Sequence, residues 1–291
     1  MKKIELIKYG IANEAFKEVE LTKPSIKPNQ VLIDNYAVAI DPYDVKFRNG
    51  DFGTETQLPV VLGSSIAGVV LEIGQEVENV KIGDRVIASP HLKTYSHQVP
   101  VLSKQVSLLP ENIDFVTGAA YALSGQTAYQ MIVSNLEVTS DDIVLISGAN
   151  GSVGTTAIQV AKSLGATVIG LVRNVDEKNN ASKFADKIVD SLEGIIFTKA
   201  LDTVGGQVLE EILKNNIAKV VSIVDGNEEV HSFMKSSSKS LNELSKLVLD
   251  EKAKILVEKI YEFNLDNLIK AHNDFEQKKY KMGKIVLKLK N

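Results

Sequence analysis

Residues 144–166 read VLISGANGSVGTTAIQVAKSLGA, and this stretch decides the fold. It begins as a short apolar strand of the kind buried on both faces in a parallel sheet. A turn of small residues follows, then small and apolar residues at helical spacing over about 153–164. The turn aligns as Ala149-Asn150-Gly151-Ser152-Val153-Gly154, an A-x-G-x-x-G version of the dinucleotide-binding fingerprint with alanine at the first glycine. Gly151 lets the backbone approach a pyrophosphate, and Gly154 lets the helix lie close on its strand. The unpaired N–H groups of the first helical turn offer a positive dipole end to phosphate. The competing reading is a glycine-rich connection with no ligand. The strand before the turn, the helix after it and the second strand TVIGLV favour the nucleotide cradle.

The end of that second strand bears on which nucleotide. An NAD site usually places Asp or Glu about 20 residues after the glycines, where it holds the ribose hydroxyls. Here the strand ends GLVRN, with Arg173 and Asn174, and Lys178 follows within reach of a helical turn. A carboxylate would repel a 2′-phosphate, whereas a guanidinium pairs with it bidentately. NADPH is therefore favoured over NADH. The alternative for Arg173 is a solvated strand end.

On either side the texture differs. Residues 1–114 carry short strand-like runs closed by turn residues, at 30–40, 68–74 and 81–89, and no long helical periodicity. They predict a small β-rich domain. From about residue 115, strands alternate with helices, which predicts a doubly wound α/β sheet through the strands around TVIGLV, TKALD and AKVVSIV. Residues 240–278 read as helical, and the closing MGKIVLKLK as a strand returning to the first domain.

Composition excludes several classes of chemistry. The 291 residues include no cysteine, which removes disulfides, thiolate nucleophiles and cysteine-ligated zinc together. The four histidines, His91, His97, His231 and His272, form no metal-binding spacing. A net charge of -4 gives no general attraction to nucleic acid or to an anionic membrane, and no apolar run approaches a membrane span. The first ten residues, MKKIELIKYG, read as a strand rather than a signal peptide, so a cytoplasmic location is expected.

With these residues in view, the chain resembles the zinc-free quinone oxidoreductase branch of the medium-chain dehydrogenase/reductase superfamily. AIDPYDVKFRNGDFG resembles the family's N-x-x-D-x-x-x-R-x-G segment. LGSSIAGVVLEIGQEVENVKIGDRV follows its G-x-x-x-x-G-x-V pattern ending in G-D-R-V. SGQTA, GANGSVG, LDTVGG and GKIVLKL match its later segments in order. The resemblance implies an α/β protein of two domains. A GroES-like catalytic domain would take residues 1–114 and 266–291, and a Rossmann cofactor domain 115–265, with the cofactor in a cleft and a homodimer as the assembly. It implies NADPH as cofactor. Thr127 would stand near the nicotinamide, Asn150, Gly151, Ser152, Val153 and Gly154 at the pyrophosphate, and Arg173, Asn174 and Lys178 around the adenosine phosphate. Val224 and Phe233 would close over the nicotinamide.

Departures from the family pattern matter as much. Zinc-dependent relatives carry cysteine where this chain has Asp41, and G-H-E where it has Gly63-Ser64-Ser65. Most zinc-free relatives have Asn at position 41, and some have tyrosine at Lys46. The stretch from Asp190 to Asp202 is shorter than the family's. Asp44 and Arg48 match the family, as a structural ion pair or as substrate contacts.

Hydride transfer without a metal favours acceptors whose conjugation spreads the incoming charge, such as quinones and α,β-unsaturated carbonyl compounds. Asp41, Tyr43 and Lys46 are the candidate catalytic residues. Tyr43 could donate a hydrogen bond and Lys46 could offset oxyanion charge. An ionised Asp41 would repel that charge unless it pairs with Lys46 or caps the turn before Pro42. Two other functions stay open: an enoyl-thioester reductase, and a non-catalytic NADPH-binding sensor or interaction protein.

Overall fold

The computed structural model describes residues 1–173, 180–215, 219–224, 227–279 and 283–290. It divides into two compact units, one of Met1–Leu123, Ser236–Ser245 and Ile255–Asn291, the other of Ser124–Lys235 and Lys246–Lys254.

The first unit is β-rich, and its spine is the long strand Gln30–Ala39. On one edge this strand pairs antiparallel with Ile66–Ile73. On the other it pairs with Gln98–Leu102 through residues 30–34 and with the final strand Lys284–Lys288 through residues 37–39. The sheet continues through Arg85–Ala88 to Val106–Leu108, while Val257–Glu262 adds a parallel strand beside Lys284–Lys288. Alternation along these strands buries Val31, Ile33, Ile66, Val70, Val86 and Val99 in one cluster. A second cluster joins Ile4, Leu6, Val38, Ile40 and Phe47 to Leu268, Ile285 and Leu287, so both chain ends share one core.

Three features depart from the sequence reading. The stretch expected to be helical from 240 to 278 holds two helices, Ser238–Leu249 and Leu265–Glu276, with the strand Val257–Glu262 between them. That strand, VEKIYE, alternates half-buried and exposed residues, the period of a one-sided edge strand. A helix at Pro42–Asn49 interrupts the β-rich region, with Pro42 at its first position, where a missing N–H costs nothing. Helix Phe115–Ala122 belongs to the β-rich unit, so the division runs at Leu123 rather than at residue 114. Phe115 explains why: its ring lies 4.4 Å from that of Tyr36, and the Arg85 guanidinium stands 4.5 Å over it.

The second unit is a parallel sheet of five strands in the order Lys187–Val189, Thr167–Leu171, Ile143–Ser147, Lys199–Asp202, Lys219–Ser222. This is the doubly wound order that starts in the middle, so the connections leave the central strand on opposite sides. Leu145, Ile169, Leu171, Ala200 and Ile212 are buried together between sheet and helix.

Gly68 shows how tightly the first sheet is built. A Cβ there would lie 2.0 Å from the backbone oxygen of Asp34 on the neighbouring strand. Gly68→Ala is expected to cost about 1–3 kcal/mol, as overpacking against rigid backbone does. An unchanged denaturant midpoint would show that the strands can separate freely there.

Candidate functional site

In the second unit, the fingerprint stretch folds as a strand, a turn and a helix. Strand Ile143–Ser147 ends in Gly148, whose φ of 60° is left-handed. The tight turn is therefore made one residue before the alanine that fills the fingerprint's first slot. Ala149 is buried instead, and its Cβ would lie 2.9 Å from any Cβ added at Gly170 on the next strand. The N-cap of helix Ser152–Ser163 is Gly151, which has no side chain to cap the first turn, and N–H groups at such a helix start suit an anion. A Cβ at Gly154 would meet the Gly148 oxygen at 2.3 Å, so only glycine fits. A Cβ at Gly151 would meet that same oxygen at 3.2 Å, a tight contact, with no other atom within 4 Å, so the glycine leaves its outer side clear for a close backbone approach. The residues present thus fit a pyrophosphate.

The other predicted cofactor residues fall around the same sheet. Thr127 is buried in helix Ser124–Tyr129, which packs on Ser152–Ser163. The Asn150 side chain accepts the N–H of Ala181 at 3.0 Å and so holds the chain beyond the second strand. Arg173 is exposed just past strand Thr167–Leu171. Asn174 and Lys178 lie outside the described residues. Val224 follows strand Lys219–Ser222, its N–H 3.2 Å from Ser222 Oγ. Phe233 is 72% exposed, with the ring of His231 edge-on at 4.2 Å. The fingerprint turn, Arg173 and Val224 all follow the carboxyl ends of parallel strands, the end of such sheets where ligands bind.

In the first unit, the three candidate catalytic residues separate sharply. Asp41 is fully buried and forms an ion pair with Lys284, the first residue of the final strand. Ser65 Oγ donates to its second oxygen at 2.5 Å, and Lys284 Nζ also donates to the Ile40 carbonyl at 3.2 Å. Its partner is Lys284, not Lys46, which is exposed on the following helix. Asp41 is also the N-cap of helix Pro42–Asn49, and its N–H donates to Asp44 Oδ2 at 3.1 Å. Tyr43 is half-buried, its ring stacked on Phe52 at 5.1 Å and its hydroxyl 3.2 Å from His91 Nδ1. Burial, helped by the charge of Asp44, raises the Tyr43 pKa. Burial lowers that of His91.

Behind this helix runs a buried polar chain that the sequence did not announce. Ser64 Oγ donates to Asp44 Oδ1 at 2.8 Å, and the Tyr95 hydroxyl lies 3.3 Å from Asp44 Oδ2 and 3.1 Å from His272 Nε2. Arg48, also fully buried, pairs with Glu276 at 2.6 Å rather than with Asp44. Burial, then the neighbouring charge of Asp41, lifts the Asp44 carboxyl from 3.8 to about 7. Burial and the Arg48 charge hold His272 well below its usual range. Among the described residues no group of three or more His, Asp or Glu side chains is placed to hold a metal ion, and no helix is long and apolar enough to cross a membrane.

Comparison with known proteins places the chain. The alcohol dehydrogenase GroES-like domain family matches residues 27–140. Quinone oxidoreductase of Sus scrofa is 32% identical over 222 residues, 74% of this chain and 67% of the relative. The chain belongs to the quinone oxidoreductase branch of the medium-chain dehydrogenase/reductase superfamily. Quinone oxidoreductase 1 of Escherichia coli (strain K12) is likewise 32% identical over 207 residues, 70% of this chain but only 63% of that relative's length. The solved structure of the quinone oxidoreductase from Coxiella burnetii superposes with a TM-score of 0.89 at 28% identity, covering 100% of this chain and 99% of that one. Asp41, Ser64 and Ser65 all find their partners inside the protein. Their polar groups are spent on Lys284, Asp44 and one another.

The raised Asp44 carboxyl has a consequence for stability. The folded protein keeps a proton that an unfolded chain releases near 3.8, so its contribution is full below that pH and fades as pH rises through about 7. Asp44→Asn removes the titration. Relative to the variant, the wild type should lose stability steadily between those limits in denaturant melts at stepped pH. A pH-independent difference would show that Asp44 is ionised throughout.

Proposed function

We propose that this protein is a metal-independent, NADPH-dependent oxidoreductase that reduces quinones and α,β-unsaturated carbonyl compounds. The observation that carries the reading is a helix start at glycine, Gly151, and an exposed Arg173, both past the carboxyl ends of adjacent parallel strands, in a chain of the quinone oxidoreductase branch. The backbone of 151–154 binds the pyrophosphate, and Arg173 pairs with the 2′-phosphate that distinguishes NADPH from NADH. When bound, the nicotinamide supplies hydride to the acceptor.

The candidate groups for stabilising charge on a reduced acceptor lie on helix Pro42–Asn49. Tyr43, kept protonated by its raised pKa, donates a hydrogen bond to the developing oxyanion. Asp41 does not oppose that charge, because Lys284 compensates it inside the protein. Lys46, exposed on the same helix, adds long-range positive potential. One hydroxyl and a screened lysine stabilise an oxyanion less than a Lewis acid does. Acceptors that delocalise the charge themselves are therefore the fitting class. A homodimer and a cytoplasmic location belong to the same reading, supported by the family resemblance and by the lack of cysteine.

NADPH oxidation against ortho-quinones, para-quinones and enones, with a chelator present and NADH in parallel, tests the proposal. Turnover should survive chelation and prefer NADPH by about tenfold or more, the scale of one charge-assisted contact. Arg173→Ala should erase that preference. NADPH binding without reduction of any acceptor would make the protein a binder and sink the enzymatic reading.

A further inference from the structure

The sequence motif LDTVGG matched the family but was given no task, and its aspartate sits at an unusual place. Asp202 is the last residue of strand Lys199–Asp202, fully buried, and among the described residues it has no ion-pair partner. Its carboxylate is satisfied by donors alone. Oδ1 accepts Ser147 Oγ at 2.6 Å and the Val204 N–H at 3.1 Å. Oδ2 accepts Ser222 Oγ at 2.8 Å and the Gly205 N–H at 3.0 Å.

Ser147, Asp202 and Ser222 are the last residues of three adjacent strands, and each leads into a different loop. Ser147 precedes the left-handed Gly148 of the fingerprint turn. Its hydroxyl, having given its proton to Asp202, accepts the Thr203 N–H at 2.8 Å. Thr203 Oγ1 then donates back to the Ser147 carbonyl at 2.9 Å, so close to Gly148 that a Cβ there would be 2.3 Å away. On the other side, Ser222 Oγ accepts the Val224 N–H at 3.2 Å. Val224 in turn lies against Gly205, where a Cβ would meet Val224 Cγ1 at 2.7 Å. One carboxylate thus fixes the starts of three loops. Ser147 and Asp202 also stand on the two sides of the switch point, where connections leave in opposite directions and dinucleotides bind.

We propose that Asp202 is a positioning residue for the cofactor, holding the fingerprint turn, the 203–205 loop and Val224 in the relative placement that a dinucleotide needs. The inference rests on the cofactor reading above. A buried carboxylate without a counter-charge is costly when stability is the sole requirement, since apolar residues fill a sheet edge more cheaply. It is well suited to fixing geometry, because an acceptor with four donors around it admits few alternative arrangements. Asp202→Asn puts an amide N–H₂ where one of those donors points. Ser222→Ala removes a single donor and frees only the Val224 side.

The test is equilibrium binding of NADPH to the full chain, read by cofactor fluorescence without any acceptor, beside a thermal melt of each variant. Asp202→Asn should weaken NADPH about 10- to 100-fold, the scale set by a displacement of roughly 1 Å, and leave the KM of the acceptor at saturating NADPH unchanged. Ser222→Ala should weaken it about threefold to tenfold, the loss of one hydrogen bond, in a variant that still folds with a melting temperature lowered by only a few degrees, about the scale of one hydrogen bond. Hydrogen exchange without cofactor should quicken at residues 148–154 in Asp202→Asn. Wild-type affinity in Asp202→Asn overturns the proposal whatever its melting temperature. If that variant fails to fold, unchanged affinity in Ser222→Ala overturns it. Failure of the wild type to bind NADPH would instead remove the cofactor reading, and exchange at 148–154 would still report on the brace.

Discussion

The buried ion pair between Asp41 and Lys284 is the constraint on which the first, β-rich unit depends. The two residues are 243 positions apart, one at the cap of the helix that carries Tyr43, the other at the start of the last strand. Neither charge is tolerable alone in that interior, so each requires the other to be in place. The pair therefore couples the start of helix Pro42–Asn49 to closure of the sheet by the chain's final residues. Ser65 and the Ile40 carbonyl complete the coordination of the two charges, as buried ions require.

This arrangement changes what the helix can offer chemically. With Asp41 paired and buried, the half-buried Tyr43 hydroxyl, flanked by the rings of Phe52 and His91, and the exposed Lys46 are what the helix offers outward. Behind it, Asp44, Tyr95 and His272 form a second buried line. In that line burial, then the neighbouring Asp41 charge, raises the Asp44 carboxyl, while Asp41 is ion-paired with Lys284. The environment, rather than the residue type, assigns the roles.

The fingerprint of the second unit was legible in the sequence because it is local. A strand, a turn and a helix occupy 22 consecutive residues, from Val144 to Gly165, and steric limits at Gly154 leave their mark in the letters themselves. Even there the left-handed residue proved to be Gly148, since a fingerprint fixes spacing and not which residue makes the turn. The first unit was less legible because its contacts are long-range. Nothing near Asp41 points to Lys284, and nothing near Tyr43 points to His91. Val257–Glu262 was read as helix because an edge strand with one half-buried face has a weak apolar signal. Phe115 begins a helical pattern, but its packing under Arg85 and against Tyr36 decides which unit it joins, and packing is not written in periodicity.

The most direct measurement on the central interaction is a double-mutant cycle of unfolding free energy on Asp41→Asn, Lys284→Met and the pair of changes together. Breaking a buried pair from one side costs about 3–5 kcal/mol because a lone charge is left behind, whereas replacing both partners relieves it. The account predicts that Lys284→Met is severely destabilised and that adding Asp41→Asn restores much of the loss. Strictly additive effects would contradict it, and would mean that the two charges do not depend on each other.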